Sequence, residues 1–144
     1  MYFGSLTFPT GQYPRLVVVA DVNNDAKPDI VTAKQGPSTV RVLLNTGNGT
    51  FSPQTTYATG SHPESVAVAD VNNDAKPDIV TANYDANTVS VFLNAGNGTF
   101  SSQTPYTTGS NPQSVAVADV NNDAKLDIVT ANYGAQNVGI LFHC

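Results

Sequence analysis

The chain has 144 residues, enough for one domain with a sizeable core. Its formal net charge is −5, with 6 Lys+Arg against 11 Asp+Glu and no basic cluster, which excludes a basic nucleic-acid-binding face. At 40% hydrophobic and 12% charged residues it does not read as a disordered chain, and no apolar run approaches the roughly 18 residues of a membrane span.

The first segment, Met1 to Gly11, lacks a basic n-region and an apolar h-region, so no signal peptide is visible. It aligns instead with a strand that recurs later: Tyr2 falls 49 residues before Phe51, and Phe8 falls 49 before Tyr57. The interval is set by Asp21-Val-Asn-Asn-Asp-Ala-Lys-Pro-Asp29, which returns at Asp70–Asp78 and, with Leu126 replacing Pro, at Asp119–Asp127. The chain is therefore a single repeat domain, 1–144, with units over about 12–58, 59–107 and 108–144 and residues 1–11 as a spare outer strand.

Within a unit the pattern is strand-like throughout. In the second, Val66 and Val68 alternate with Ala67 and Ala69 as strand a, and an aspartate loop follows. Ile79-Val-Thr-Ala is rich in β-branched residues as strand b, and Val89-Ser-Val-Phe-Leu alternates as strand c. An Asn-Gly-Thr turn, a strong hairpin signal, leads to a polar outer strand d from Phe100 to Thr108, where Pro105 suits an edge. The third unit ends on strand c, because Leu141-Phe142 falls 49 after Phe92-Leu93.

The expected fold is all-β: three four-stranded antiparallel repeats of the size of β-propeller blades, with the small Ala67, Ala69, Ala116 and Ala118 at the crowded innermost position. A β-sandwich built from the same strands is the alternative, and near-identical units favour radial stacking. Typical rings have about four to eight blades, so three do not close. With the last unit short of strand d and the first residues supplying one, the expectation is half of a six-bladed ring, completed by a second chain as a C₂ homodimer. A fragment of a longer propeller is the other reading.

Nine of the 11 acids lie in the three loops. Like charges held this close repel, and a hard dication with oxygen ligands removes that cost. Positions 1, 3, 5 and 9 are Asp21, Asn23, Asp25 and Asp29; Asp70, Asn72, Asp74 and Asp78; and Asp119, Asn121, Asp123 and Asp127. Position 7 offers the backbone carbonyl of Lys27, Lys76 or Lys125. The expectation is three Ca²⁺ sites per chain, with Asx-turns capping the loops as the alternative. An EF-hand is excluded, because position 12 is Thr32, Thr81 or Thr130 and the flanks are strands.

These loops and strands resemble the FG-GAP/VCBS repeat family, the calcium-binding blades of integrin α-subunit propellers and of many secreted proteins and lectins. The resemblance covers nearly the whole chain. It implies a calcium loop between the first two strands of each blade, which matches the a–b position found here. One departure is that the family usually has Gly at loop position 6, where Ala26, Ala75 and Ala124 stand. If φ is positive there, each alanine is strained by roughly 1 kcal/mol.

Alternating strand direction puts the aspartate loops and Asn-Gly turns at one end, and the b–c and d–a loops at the other. The second end varies between units, reading Gln12–Arg15, Ser61–Glu64 and Ser110–Gln113 for d–a, and Lys34–Ser38, Asn83–Asn87 and Asn132–Gln136 for b–c. Tyr13, Tyr84 and Tyr133 are the ligand-binding candidates there, since tyrosine joins an apolar body to a polar tip; ordinary polar loops are the alternative. No catalytic residue is expected, as no nucleophile-elbow motif occurs and His62 reads as a solvated loop residue. Asn48-Gly-Thr50 and Asn97-Gly-Thr99 match the glycosylation sequon but read first as turn chemistry. The lone cysteine, Cys144, excludes an intrachain disulfide.

The function expected is a non-enzymatic, extracellular or secreted binding or adhesion scaffold with a carbohydrate or protein ligand. The alternatives are a purely structural self-assembling propeller and a non-catalytic part of a larger secreted enzyme. No nucleic acid and no membrane span are expected.

Overall fold

The computed structural model describes Met1 and residues 4–144. It is all-β, with no helix among the described residues and none long and apolar enough to cross a membrane. The first sheet holds β1 (Pro14–Ala20), β2 (Asp29–Lys34), β3 (Thr39–Leu43) and β6 (Thr55–Ala58), side by side in that order. Between its last two strands sits a small hairpin of β4 (Asn45–Gly47) and β5 (Thr50–Phe51). The second sheet repeats the order with β7 (Pro63–Ala69), β8 (Asp78–Asn83), β9 (Thr88–Phe92) and β10 (Thr104–Thr107). The third has three strands, β11 (Pro112–Ala118), β12 (Asp127–Asn132) and β13 (Asn137–Leu141).

All pairings between neighbours are antiparallel, and their registers repeat. Val31 faces Val42, Val80 faces Val91, and Val129 faces Ile140. The β-branched runs suit this half-buried pleated setting. Each of β1, β7 and β11 opens on a proline, the place in a strand where a missing N–H is tolerated, followed by a register shift. The residue before that proline, Tyr13, His62 or Asn111, has φ between 53° and 62°.

The sheets stack face to face. β7 lies against β1 on one side and against β11 on the other, so the first strands of the sheets are neighbours. One apolar layer between sheets one and two holds Val31, Ala33, Val40, Val42, Val66, Ile79, Phe92 and Phe100. A second, between sheets two and three, holds Val80, Ala82, Val89, Val91, Val115 and Ile128. β8, covered on both faces, is buried along its whole length.

Several boundaries differ from those expected. Pro63 and Glu64, read as loop, begin β7, and Pro14–Arg15 and Pro112–Gln113 do the same in their units. Lys34, Asn83 and Asn132, also read as loop, end β2, β8 and β12 with buried side chains. Polarity suggests a loop, but side-chain hydrogen bonds hold the asparagines inside: Asn83 Nδ2 donates to Thr88 Oγ1 and Ser90 Oγ, and Asn132 Nδ2 to Asn137 Oδ1, while Asn132 Oδ1 is buried without a partner. The outer strand of unit two is shorter than 100–108, and Phe100 stands apart from it in an isolated bridge with Asn94. Residues 4–11 carry no strand, and Tyr2 lies outside the described residues.

Candidate metal centre

Each aspartate loop joins the first two strands of a sheet and folds around its own carboxylates. In the first, Asp21 accepts from the backbone N–H of Asp25 (3.2 Å) through Oδ1 and of Ala26 (2.8 Å) through Oδ2. Asn23 Oδ1 accepts from Asp25 N–H at 3.2 Å, and Asp25 Oδ1 from Lys27 N–H at 2.9 Å. The second loop repeats these bonds at 3.0, 2.8, 3.2 and 3.0 Å, and the third at 3.2, 2.9, 3.0 and 2.9 Å.

Two residues in each loop adopt left-handed backbone. At position 4, Asn24, Asn73 and Asn122 have φ of 58°, 59° and 59°, a conformation asparagine tolerates. At position 6, Ala26, Ala75 and Ala124 have φ of 62°, 64° and 66°, so the strain that an alanine meets there is present three times. These turns aim successive N–H groups inward at the carboxylates, which is what the bonds above record.

Position 9 anchors the loop to its sheet. Asp29 is fully buried, with Oδ2 accepting from Val22 N–H (2.9 Å) and Oδ1 from Asn45 N–H (2.7 Å). Asp78 does the same with Val71 and Asn94, and Asp127 with Val120 and His143. Burial raises the Asp78 carboxyl above the ordinary value of 3.8; the N–H groups of Asn94 and Val71 pull against this, and the charges of Asp74 and Asp70 add to it.

The exposed position 5 behaves oppositely. Asp25 is held below the ordinary value, chiefly by hydrogen bonding to the Lys27 side chain, whose Nζ lies 3.0 Å from Oδ2. Asp74 is also lowered: desolvation pushes upward, but the Lys76 N–H, Asn72 and the Lys76 charge outweigh it. Asp123 is lowered first by the Lys125 N–H. Its Oδ2 meets Asn121 Nδ2 at 3.0 Å, and the Lys125 and His143 charges lower the carboxyl further.

The donor set of each loop is therefore hard oxygen throughout: three carboxylates, one amide oxygen and a backbone carbonyl. Each carboxylate oxygen engaged by one N–H keeps a second lone-pair direction free. As the loops stand, no group of three His, Cys, Asp or Glu side chains among the described residues is arranged to hold a metal ion. The hard-oxygen chemistry of these groups suits calcium.

A loop of this form, three times over between the first two strands of a sheet, is decisive when set beside known families: FG-GAP-like repeats match residues 21–81 and again 70–130. The chain belongs to the FG-GAP-like repeat family. Searching the curated proteins gives no match.

The FG-GAP-like repeats are tied to one another at the loop end. Asn94 Nδ2 donates to Val22 O, in the loop of the preceding repeat, at 2.8 Å, and to Pro77 O at 2.7 Å. The turn at Gly98 also lies over Asn23 and Leu44, with φ of 76° and no room for a Cβ. These contacts escape a reading of the repeats one at a time.

The opposite end holds the tyrosines. Tyr13 lies beside Gly36 and is well exposed, Tyr133 is exposed beside Gly134 and Gln136, and Tyr84 is half-buried with its ring 5.9 Å from His62. His62 is not simply solvated. Its Nδ1 lies 2.9 Å from Asp85 and its Nε2 3.3 Å from Glu64, whose other oxygen takes the Arg15 guanidinium at 2.6 Å. Glu64 and Asp85, the two acids outside the loops, are the signal in the sequence for this network.

Proposed function

We propose that the chain is a calcium-binding β-propeller module that serves as a non-enzymatic binding or adhesion scaffold outside the cell, with a carbohydrate or protein ligand. The observation that carries the metal reading is the loop network, reproduced in three repeats with the same acceptors and the same left-handed positions 4 and 6. Asp21, Asn23, Asp25 and Asp29 and their counterparts would hold the ion, with the carbonyls of Lys27, Lys76 and Lys125. When bound, calcium supplies charge neutralisation and cross-links the loop to its sheet. The propeller reading is supported by the adjacency of β1, β7 and β11 at the inner edge of the stack. A ring of about four to eight blades needs more than three.

Ligand binding is placed at the varied end, where Tyr13, Tyr84 and Tyr133 stand among amides. The experiment is thermal unfolding with calcium, with magnesium and with EDTA, joined to glycan-array binding under the same conditions. A melting temperature raised by calcium alone, and glycan binding lost in EDTA, support the proposal. Identical melts in all three conditions sink the metal reading.

A further inference from the structure

Asn-Gly occurs twice in the chain, at Asn48-Gly49 and at Asn97-Gly98, in the turns that follow the third strands of sheets one and two. The pair is chemically fragile. With no Cβ on the second residue, its backbone nitrogen meets little hindrance in approaching the carboxamide carbon of the asparagine. Gly47–Phe51 and Gly96–Phe100 are identical in sequence, so the residues around each asparagine give the two sites equal reactivity in an unfolded chain.

The fold treats them differently. Asn97 Oδ1 accepts from the Thr99 N–H at 3.1 Å and from the Thr99 hydroxyl at 2.5 Å. These two bonds hold the carboxamide toward Thr99. Gly98, which carries the nitrogen that would attack it, is buried over Leu44 and Asn23.

Asn48 has neither bond. It is exposed, and its side chain makes no hydrogen bond among the described residues. The hydroxyl of Thr50, the counterpart of Thr99, donates instead to Gly47 O at 2.7 Å and meets the Thr46 hydroxyl at 2.6 Å. Over the two turns Thr46 is the one difference in sequence, since Ala95 stands in its place and offers no hydroxyl. The backbones differ accordingly. Asn48 and Gly49 have φ of 54° and 74° and link the paired Gly47 and Thr50. In the second turn Gly96 and Gly98 have positive φ, Asn97 does not, and the Ala95 N–H donates to Thr99 O at 2.9 Å.

We infer that Asn48 is a site of spontaneous deamidation in the folded protein, and that the fold protects Asn97. The Gly49 nitrogen forms a bond to Asn48 Cγ and gives up its proton; the Cγ–Nδ2 bond breaks, and ammonia leaves. The cyclic imide then takes up one water. Opening at Cγ leaves aspartate, and opening at the main-chain carbonyl leaves isoaspartate, with the chain running through the former side chain. Either product carries one new carboxylate, and no oxidant or reductant enters.

The new charge falls on the turn that seats the first aspartate loop. Asn45, in the same turn, donates its N–H to Asp29 Oδ1 at 2.7 Å and its Nδ2 to Pro28 O at 2.9 Å. The chain already carries a formal charge of −5, so aged molecules form a more acidic species.

The test is peptide mapping by mass spectrometry of the 144-residue chain, sampled over time in mildly alkaline buffer with and without concentrated urea. Without urea, the peptide holding Asn48 is expected to gain one mass unit several-fold faster than the peptide holding Asn97. In urea the two rates are expected to converge, because only the fold distinguishes the sites. Thr46→Ala, at an exposed position, is expected to slow Asn48 toward the Asn97 rate. Asn48→Gln, whose longer side chain does not close the five-membered imide, is expected to abolish the early acidic species. Both variants keep the wild-type far-UV spectrum. Equal rates in the folded chain overturn the inference, and so does a faster Asn97. A difference that persists in urea, or that survives Thr46→Ala, overturns the structural cause assigned to it.

Discussion

The side chain of Asn94 donates a hydrogen bond to the carbonyl of Val22, 2.8 Å away and 72 residues earlier in the chain. One amide thus joins the turn of the second repeat to the aspartate loop of the first, and its second bond, to Pro77 O, holds it to its own loop. Substituting Asn94→Ala leaves two carbonyls without their donor, one of them buried, and is expected to cost about 1–3 kcal/mol. Asn45→Ala is the control. Its Nδ2 reaches only Pro28 O, at an exposed site, and the expected cost is below about 1 kcal/mol. Urea unfolding of both variants measures the difference.

Asp74→Ala removes the position 5 carboxylate from the second loop while leaving the buried anchor Asp78 in place. At a calcium concentration of about 100 times Kd, one site adds about 2.7 kcal/mol of stability. The substitution is expected to remove about that amount from the calcium-dependent part of the unfolding free energy and to leave two sites titrating by calorimetry. A full set of three sites in the variant would exclude Asp74 as a ligand.

Ala26, Ala75 and Ala124 stand in left-handed backbone, where a Cβ costs about 1–2 kcal/mol. Glycine relieves this, but it has more freedom to lose on folding, about 0.5–1 kcal/mol. The triple substitution to glycine is therefore expected to gain a few tenths of a kcal/mol or more per loop, seen as a higher melting temperature in calcium-free buffer. A lower melting temperature would mean that the methyl groups contribute packing.

The carboxyls give two opposed pH dependences. Asp25, Asp74 and Asp123 titrate below 3.8 in the fold, so their contribution is present above that value and is lost as pH falls through their folded values. Asp78 titrates above 3.8, so its contribution is present below 3.8 and is lost as pH rises through its folded value. Calcium requires the ionised form. The calcium-induced rise in melting temperature is therefore expected to shrink on acidification beginning above pH 3.8, before the calcium-free fold itself loses stability. Melts in acetate buffers with and without calcium check this order.

The strand order was legible because the chain states it three times. Alternation in Val66–Ala69 and Val89–Leu93 named the strands, and the interval of 49 aligned their edges. The left-handed turn at Ala75 was legible from its departure from glycine. Other features depend on contacts between repeats. Asn83 reads as a loop residue until the hydroxyls of Thr88 and Ser90 are seen around it. His62 reads as solvated until Glu64 and Asp85 close on its ring. The aspartate loops lie between: spacing located their carboxylates and amides, whereas the engagement of these groups with backbone N–H groups is a matter of conformation.

The Arg15–Glu64 ion pair has a meaning beyond its modest energy. Strands β7 and β11 share the run Ser-Val-Ala-Val-Ala, so a folding chain has little local means of telling which of them belongs next to β1. Docking sheet three on sheet one, with the middle repeat looped out, would reproduce the valine contacts of the first strands, and such misassembly is a characteristic failure of repeat proteins. Arg15 meets Glu64 in the correct order but would meet Gln113 in the wrong one. Opposite charges at the start of β1 and β7, and none at the start of β11, thus work as an address, marking neighbours that are otherwise interchangeable.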